Sequence, residues 1–162
     1  MRKLTLSEWA EIGELIGVFA VFVSLLFVIF SINQNTAALH GSTENLLFEM
    51  HSDLASQFIA DPTMASIMVE MRSDAPELTE IEAVRWEKYH LNLLDIWALA
   101  HTRHKRGLLG DDQWLTWDRY FAELFATGGE RLSLERWQEL HYGFDPEFWD
   151  HVGASLFPQD AD

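Results

Sequence analysis

The stretch from Leu15 through Phe30 reads LIGVFAVFVSLLFVIF, carries no charge, and has Ser24 as its one hydroxyl. A helix from Ile12 to Ile32, rising about 1.5 Å per residue, extends roughly 30 Å, the hydrocarbon thickness of a bilayer. Core helices of soluble proteins seldom run so far without a charge. The spacing therefore predicts a transmembrane helix over 12–32, preceded by a flank and helix start over 1–11. In that flank Thr5 and Glu8 form a capping box and Trp9 suits the membrane interface, while Glu14, just inside the span, can extend to headgroup depth. The glutamates ahead of the apolar run, its length and the lack of an A-x-A site before the polar stretch Ser31 to Thr36 argue that the segment is retained, not cleaved as a leader.

Steps of four and three from Gly13 pass through Gly17, Ala20, Ser24, Phe27, Ser31, Gln34, Ala38, Gly41 and Asn45, all small or polar except Phe27. Val18, Phe19, Phe22, Leu25, Leu26, Ile29 and Phe30 occupy the other faces. A helix with one flat seam lets a second backbone approach closely, because association in lipid depends on packing and polar contacts. Gly13, Gly17, Ala20, Ser24, Ser31 and Gln34 are the expected helix–helix interface.

Beyond the apolar run, Leu39, Leu46, Leu47, Met50, Leu54 and Phe58 keep a helical spacing, which predicts a helical extension over 33–60. A helical domain is expected over 61–162. Asp61 before Pro62 marks a short helix, and Thr79 with Glu82 is a capping box opening a long one that ends at a basic run and Gly107. Asp111 is expected to cap a helix with Trp114, Trp117, Phe121, Leu124 and Phe125 on one face, closed by Gly128 and Gly129. Ser133 and Asp145-Pro146 start the last two helices, and Pro158 stops the final one. No segment alternates with period two. The expected fold is all-α: a transmembrane helix running into a long helix, followed by a small antiparallel bundle with a core rich in Trp86, Trp97, Trp117, Phe121, Trp137 and Trp149.

The absence of cysteine excludes disulfides and thiolate metal sites, and a formal charge of -15, most of it from Glu44 onward, repels nucleic-acid phosphates. Serine-nucleophile motifs, glycine-rich phosphate loops and zinc-protease spacings are missing. His90, His101 and His104 fall on the broad helix face that holds Trp86, Leu93 and Trp97, and Glu87 with His90 forms the Glu-x-x-His unit of di-iron bundles. A second such unit is lacking, since the nearest is Gln138 with His141, so these histidines are expected to hydrogen-bond in or beside the core and bind no metal. No cofactor is expected. The cluster Arg103, His104, Lys105 and Arg106 reads as a complement to the negative end of a long helix.

An N-terminal tryptophan among acidic residues, the step Val23-Ser24-Leu25 in the apolar helix, and Gln34, Asn35 and Thr36 after it form a recognisable order. Gly107 with Trp114, then Gly129, Arg131 and Trp137, and finally Phe148 and Val152 continue it. The whole resembles a widespread, uncharacterised family of bacterial single-pass membrane proteins with a small helical domain. The resemblance implies this architecture and the bacterial inner membrane, and carries no activity.

The function expected from these features is that of a non-enzymatic, membrane-anchored helical module. Its partners would be the lipid bilayer and a second copy or another membrane protein, with no nucleic acid. An oligomer whose Gly17, Ser24 and Ser31 line a pore, and a metal-dependent helical-bundle enzyme, are the alternatives. Arg2 and Lys3 precede the apolar helix whereas Ser31 to Met71 contains neither lysine nor arginine, so the positive-inside rule keeps the N-terminus in the cytoplasm and the domain in the periplasm. The family resemblance implies a cytoplasmic domain instead, since its members often carry basic residues after the anchor.

Overall fold

The computed structural model describes residues 6–73, 75–127 and 131–158. Among them there are six α-helices and no strand: α1 Leu6–Ala60, α2 Pro62–Glu70, α3 Glu80–Lys105, α4 Asp111–Ala126, α5 Leu134–Leu140 and α6 Pro146–Leu156, with a 3₁₀ turn His141–Gly143 before α6. The expected Thr5–Glu8 capping box, Arg2, Lys3, Gly128 and Gly129 lie outside the described residues, as do the side chains of Phe58 and His141. The chain divides into two compact units, Met1–Leu39 and His40–Asp162.

In the first unit the described side chains of α1 are exposed, apart from the half-buried Ser31. Phe19 is 67% and Phe27 71% exposed, and the apolar stretch from Ile12 onward is long and apolar enough to cross a membrane.

The second unit begins at His40, inside the stretch 33–60 expected as an extension, because Leu47 and Leu54 of α1 are buried in the same core as α3, α4 and α6. Four helix starts follow local side-chain chemistry. Asp61 accepts from Thr63 N at 2.9 Å, Thr79 and Glu82 complete their reciprocal box, Ser133 Oγ accepts from Arg136 N at 3.1 Å, and Asp145 accepts from Glu147 N at 3.0 Å. Asp111 is not a cap. It is the first residue of α4, whose N-cap is Gly110, because the Gln113 side chain reaches back to accept from Gly110 N at 3.1 Å while donating to Glu44 at 2.8 Å. The end of α3 is a Schellman turn, with Gly107 N donating to His104 O and Leu108 N to Arg103 O, and Gly107 taking φ 67°. His40 closes on this turn, its Nε2 donating to Gly107 O at 2.7 Å.

α3 packs against α2, α4 and α6, and α4 packs against α6. Trp97, Phe121, Phe125 and Phe148 are fully buried at the centre. Trp86, Trp117 and Trp149 are also buried, and Trp137 is half-buried against the core. Trp137 stacks on Trp149 with centroids 5.9 Å apart, and neither buried indole N–H has a partner among the described residues.

The Trp137 ring lies directly on Gly153, where an added Cβ would sit 2.7 Å from Cζ2. Gly153→Val must therefore displace the indole and is expected to lower stability by about 1–3 kcal/mol. Gly41→Ala, on an open helix face with nothing within 4 Å of the new Cβ, is expected to raise it by up to about 1 kcal/mol. Opposite shifts of the thermal midpoint check the pair, and equal shifts would contradict the packing described.

Candidate functional site

The residues expected to form a helix–helix interface lie together along one strip of α1. Gly13, Gly17, Ala20, Ser24 and Gln34 are exposed, and Ser31 is half-buried. A Cβ at Gly13 or Gly17 would meet nothing within 4 Å, so the packing of this chain gives no reason for glycine at either position. The Ser24 hydroxyl donates to Ala20 O at 2.8 Å, which satisfies it within its own helix and leaves a small surface that can enter lipid or face another backbone. Beside the strip, Leu15, Ile16, Val18, Phe19 and Phe22 line a shallow apolar hollow.

The three histidines singled out on α3 do not converge. His90 stacks on Trp86 at 6.0 Å and contacts Phe125 at 4.9 Å. Glu87, its partner in the Glu-x-x-His unit, is held by Arg136 at 2.6 Å. His104 stacks on Trp114 at 5.3 Å, with Nδ1 3.4 Å from Leu109 O. His101 instead meets His151 of α6, the rings stacked at 5.6 Å over Trp114 and Phe148. His151 Nε2 lies 2.6 Å from Asp118 Oδ1 and must carry the proton there, since a carboxylate only accepts. The same oxygen accepts from Trp97 Nε1 at 2.9 Å. His151 and Asp118 carried no signal in the sequence, because their spacing matches no local motif. Among the described residues no group of three or more histidines, aspartates and glutamates is arranged to hold a metal ion.

Burial lowers the His101 pKa below 6.5, helped by His151 and Lys105 and opposed by Asp145 and Asp118, and burial lowers that of His51 as well. The folded chain then binds these protons less readily than the unfolded chain. Their stabilising contribution is complete above about pH 6.5 and is lost as pH falls through the lowered folded values. Asp95, whose carboxyl is raised by burial, acts in the opposite sense as it protonates. The melting temperature is expected to fall between about pH 7.5 and about pH 5.5, and to fall less in His101→Asn, which cannot titrate. An equal fall in both would remove His101 from the effect.

A second cluster lies where α1 beyond His40 meets α4. Phe48 and His51 of α1 face Trp117 and Tyr120 of α4 across a groove of about 410 Å³, with Glu44, Asp112, Gln113 and Thr116 along its rim. Phe48 meets Trp117 at 5.4 Å and 69°, and His51 meets Trp117 at 5.8 Å and 68°. His51 also meets Tyr120 at 5.2 Å and 88°, and its Nε2 is 2.8 Å from the Tyr120 hydroxyl. No sequence motif pointed to this groove. The available signal was weak, an aromatic pair three residues apart on each of two helices. A further hollow between the α1–α2 junction and α3 holds Arg85, Lys88 and Asn92, with Arg85 paired to Asp61 at 3.1 Å. The cluster Arg103–Arg106 ends α3, where Lys105 pairs with Glu147 of α6.

No family model, curated protein or solved structure matches the chain.

Proposed function

We propose that this chain is a single-pass membrane protein of a bacterial inner membrane, with an α1 segment over 12–32 crossing the bilayer and a small antiparallel helical bundle beyond it. The protein is a non-enzymatic module that associates with a second copy or serves as an accessory subunit of a membrane complex. The observation that carries the reading is the apolar stretch of α1, uncharged from Leu15 to Phe30 and exposed all round. In water such a surface would drive aggregation, whereas in hydrocarbon it is the favoured solvent contact. The strip of small residues supports association, since close backbone approach is what helix pairing in lipid requires. The charges flanking the anchor support a cytoplasmic N-terminus and a periplasmic domain.

Extraction of membranes in mild detergent, followed by mass and composition analysis, tests the reading. The expected species is a multiple of the 18.7 kDa chain or a defined complex with another membrane protein. Release by alkaline carbonate would sink the anchor, and a single 18.7 kDa chain with no partner would sink association. A C-terminal alkaline phosphatase fusion is expected to be active, and an inactive one beside a fluorescent C-terminal fusion reverses the orientation.

A further inference from the structure

The groove between α1 and α4 differs from the rest of the aromatic interior. In the core the rings are fully enclosed, with Trp97, Phe121, Phe125 and Phe148 each 0% exposed. Around the groove Phe48, His51, Trp117 and Tyr120 meet at 68° to 88°, corners of a box and not layers of a stack. Phe48 is 60% and Tyr120 41% exposed, so the box opens to solvent. Its polar rim carries the carboxylates of Glu44 and Asp112, and among the described residues no lysine or arginine lines it. Gln113 donates to Glu44, which fixes one carboxylate at the edge. His51 adds no positive charge near neutral pH, because burial lowers its pKa.

Ring faces present negative potential, and carboxylates beside them add to it, so a weakly hydrated cation gains on both counts. The net charge of -15 raises the local concentration of any cation. A metal ion is a poor fit to walls of carbon, since hard cations require several oxygen ligands. We propose that this groove binds an alkylammonium group, of the quaternary kind carried by choline and betaine, with the exposed rings of Phe48 and Tyr120 as its walls, the largely buried Trp117 at its base, and Glu44 and Asp112 as its counter-charge. The proposal stands apart from the membrane anchor and does not depend on association.

The same group can arrive as a free solute or as a lipid headgroup, and two arms separate the sources. Full-length protein in nanodiscs of phosphatidylglycerol, which lacks quaternary ammonium, is titrated with choline by calorimetry. Saturable binding is expected, and 3,3-dimethylbutan-1-ol, the uncharged isostere of choline, is expected to bind roughly tenfold more weakly or worse. Phe48→Leu keeps apolar bulk at an exposed position, and Tyr120→Leu, which also gives up the bond to His51, is read only beside its own thermal midpoint. Each is expected to weaken choline roughly tenfold, with the thermal midpoint of Phe48→Leu near that of the parent. Asp112→Asn is expected to weaken choline without affecting the neutral isostere.

In discs of phosphatidylcholine, loss of choline binding identifies the headgroup as occupant, and unchanged binding identifies a free cation. Equal affinity for choline and its neutral isostere, or no saturable binding by the folded parent protein, overturns the proposal.

Discussion

Trp97→Ala is expected to lower the free energy of unfolding by about 3–5 kcal/mol, the range for removing a buried tryptophan or phenylalanine. The indole is 0% exposed and lies at the meeting of three helices. It is parallel to Phe121 and Phe125, edge-on to Phe148 at 5.6 Å, and its N–H is one of two donors on Asp118. Truncation leaves a cavity bounded by Phe121, Phe125, Phe148 and the His151 imidazole and removes a charge-assisted hydrogen bond. Against a total of about 5–15 kcal/mol for an ordinary domain, this leaves the folded state marginal. Trp97→Phe retains most of the ring and loses the bond, for an expected loss of about 1.5–3 kcal/mol. Urea unfolding of the detergent-solubilised chain, followed by near-ultraviolet circular dichroism, orders the two. A loss below about 1 kcal/mol for the alanine variant would mean that the core is organised elsewhere.

Gly17→Leu and Ser24→Leu are expected to abolish crosslinking between chains, or to a membrane partner, whereas Phe22→Leu leaves it intact. Neither Gly17 nor Ser24 is held small by its own chain: nothing lies within 4 Å of a Cβ at Gly17, and the Ser24 hydroxyl is closed on Ala20. Leucine at either position should fold normally, so a loss of crosslinks reports on a second helix and not on the stability of this one. In lipid there is no hydrophobic gain from pairing apolar helices, and contact falls steeply once bulk separates the backbones. The seam repeats every 3.5 residues on average, which favours a left-handed pair or small bundle. Unchanged crosslinking in all three variants would leave a monomer tethered to the bilayer.

The helices that can be read from residues alone are those whose ends are made by near neighbours. Asp61 before Pro62, Thr79 with Glu82, Ser133 and Asp145 before Pro146 each satisfy backbone N–H groups within three residues, and each starts a helix as expected. The start of α4 was displaced by one residue, because Gln113 is shared between Gly110 and the distant Glu44. Burial of Trp86, Trp97, Trp117 and Trp149 was legible from periodicity, since a large apolar side chain on the inner face of an amphipathic helix has nowhere better to go.

What those chains of local contacts do not contain is the partner across the core. His101 could be placed on an inner face, but its stacking on His151, fifty positions along the chain, required α3 and α6 to be packed first. The groove holds His51 and Tyr120 at 2.8 Å although they are 69 residues apart, and no spacing rule reaches so far. The helical class, all the described helix starts but that of α4, the apolar segment and most of the tryptophan core follow from the residues alone, because these depend on periodicity and on hydrogen bonds between near neighbours. Which imidazoles meet, that Asp118 accepts from both His151 and Trp97, and where aromatic walls enclose a space came only with the packed fold. Those relations arise when side chains from separate helices are brought within a few ångströms by packing the whole core.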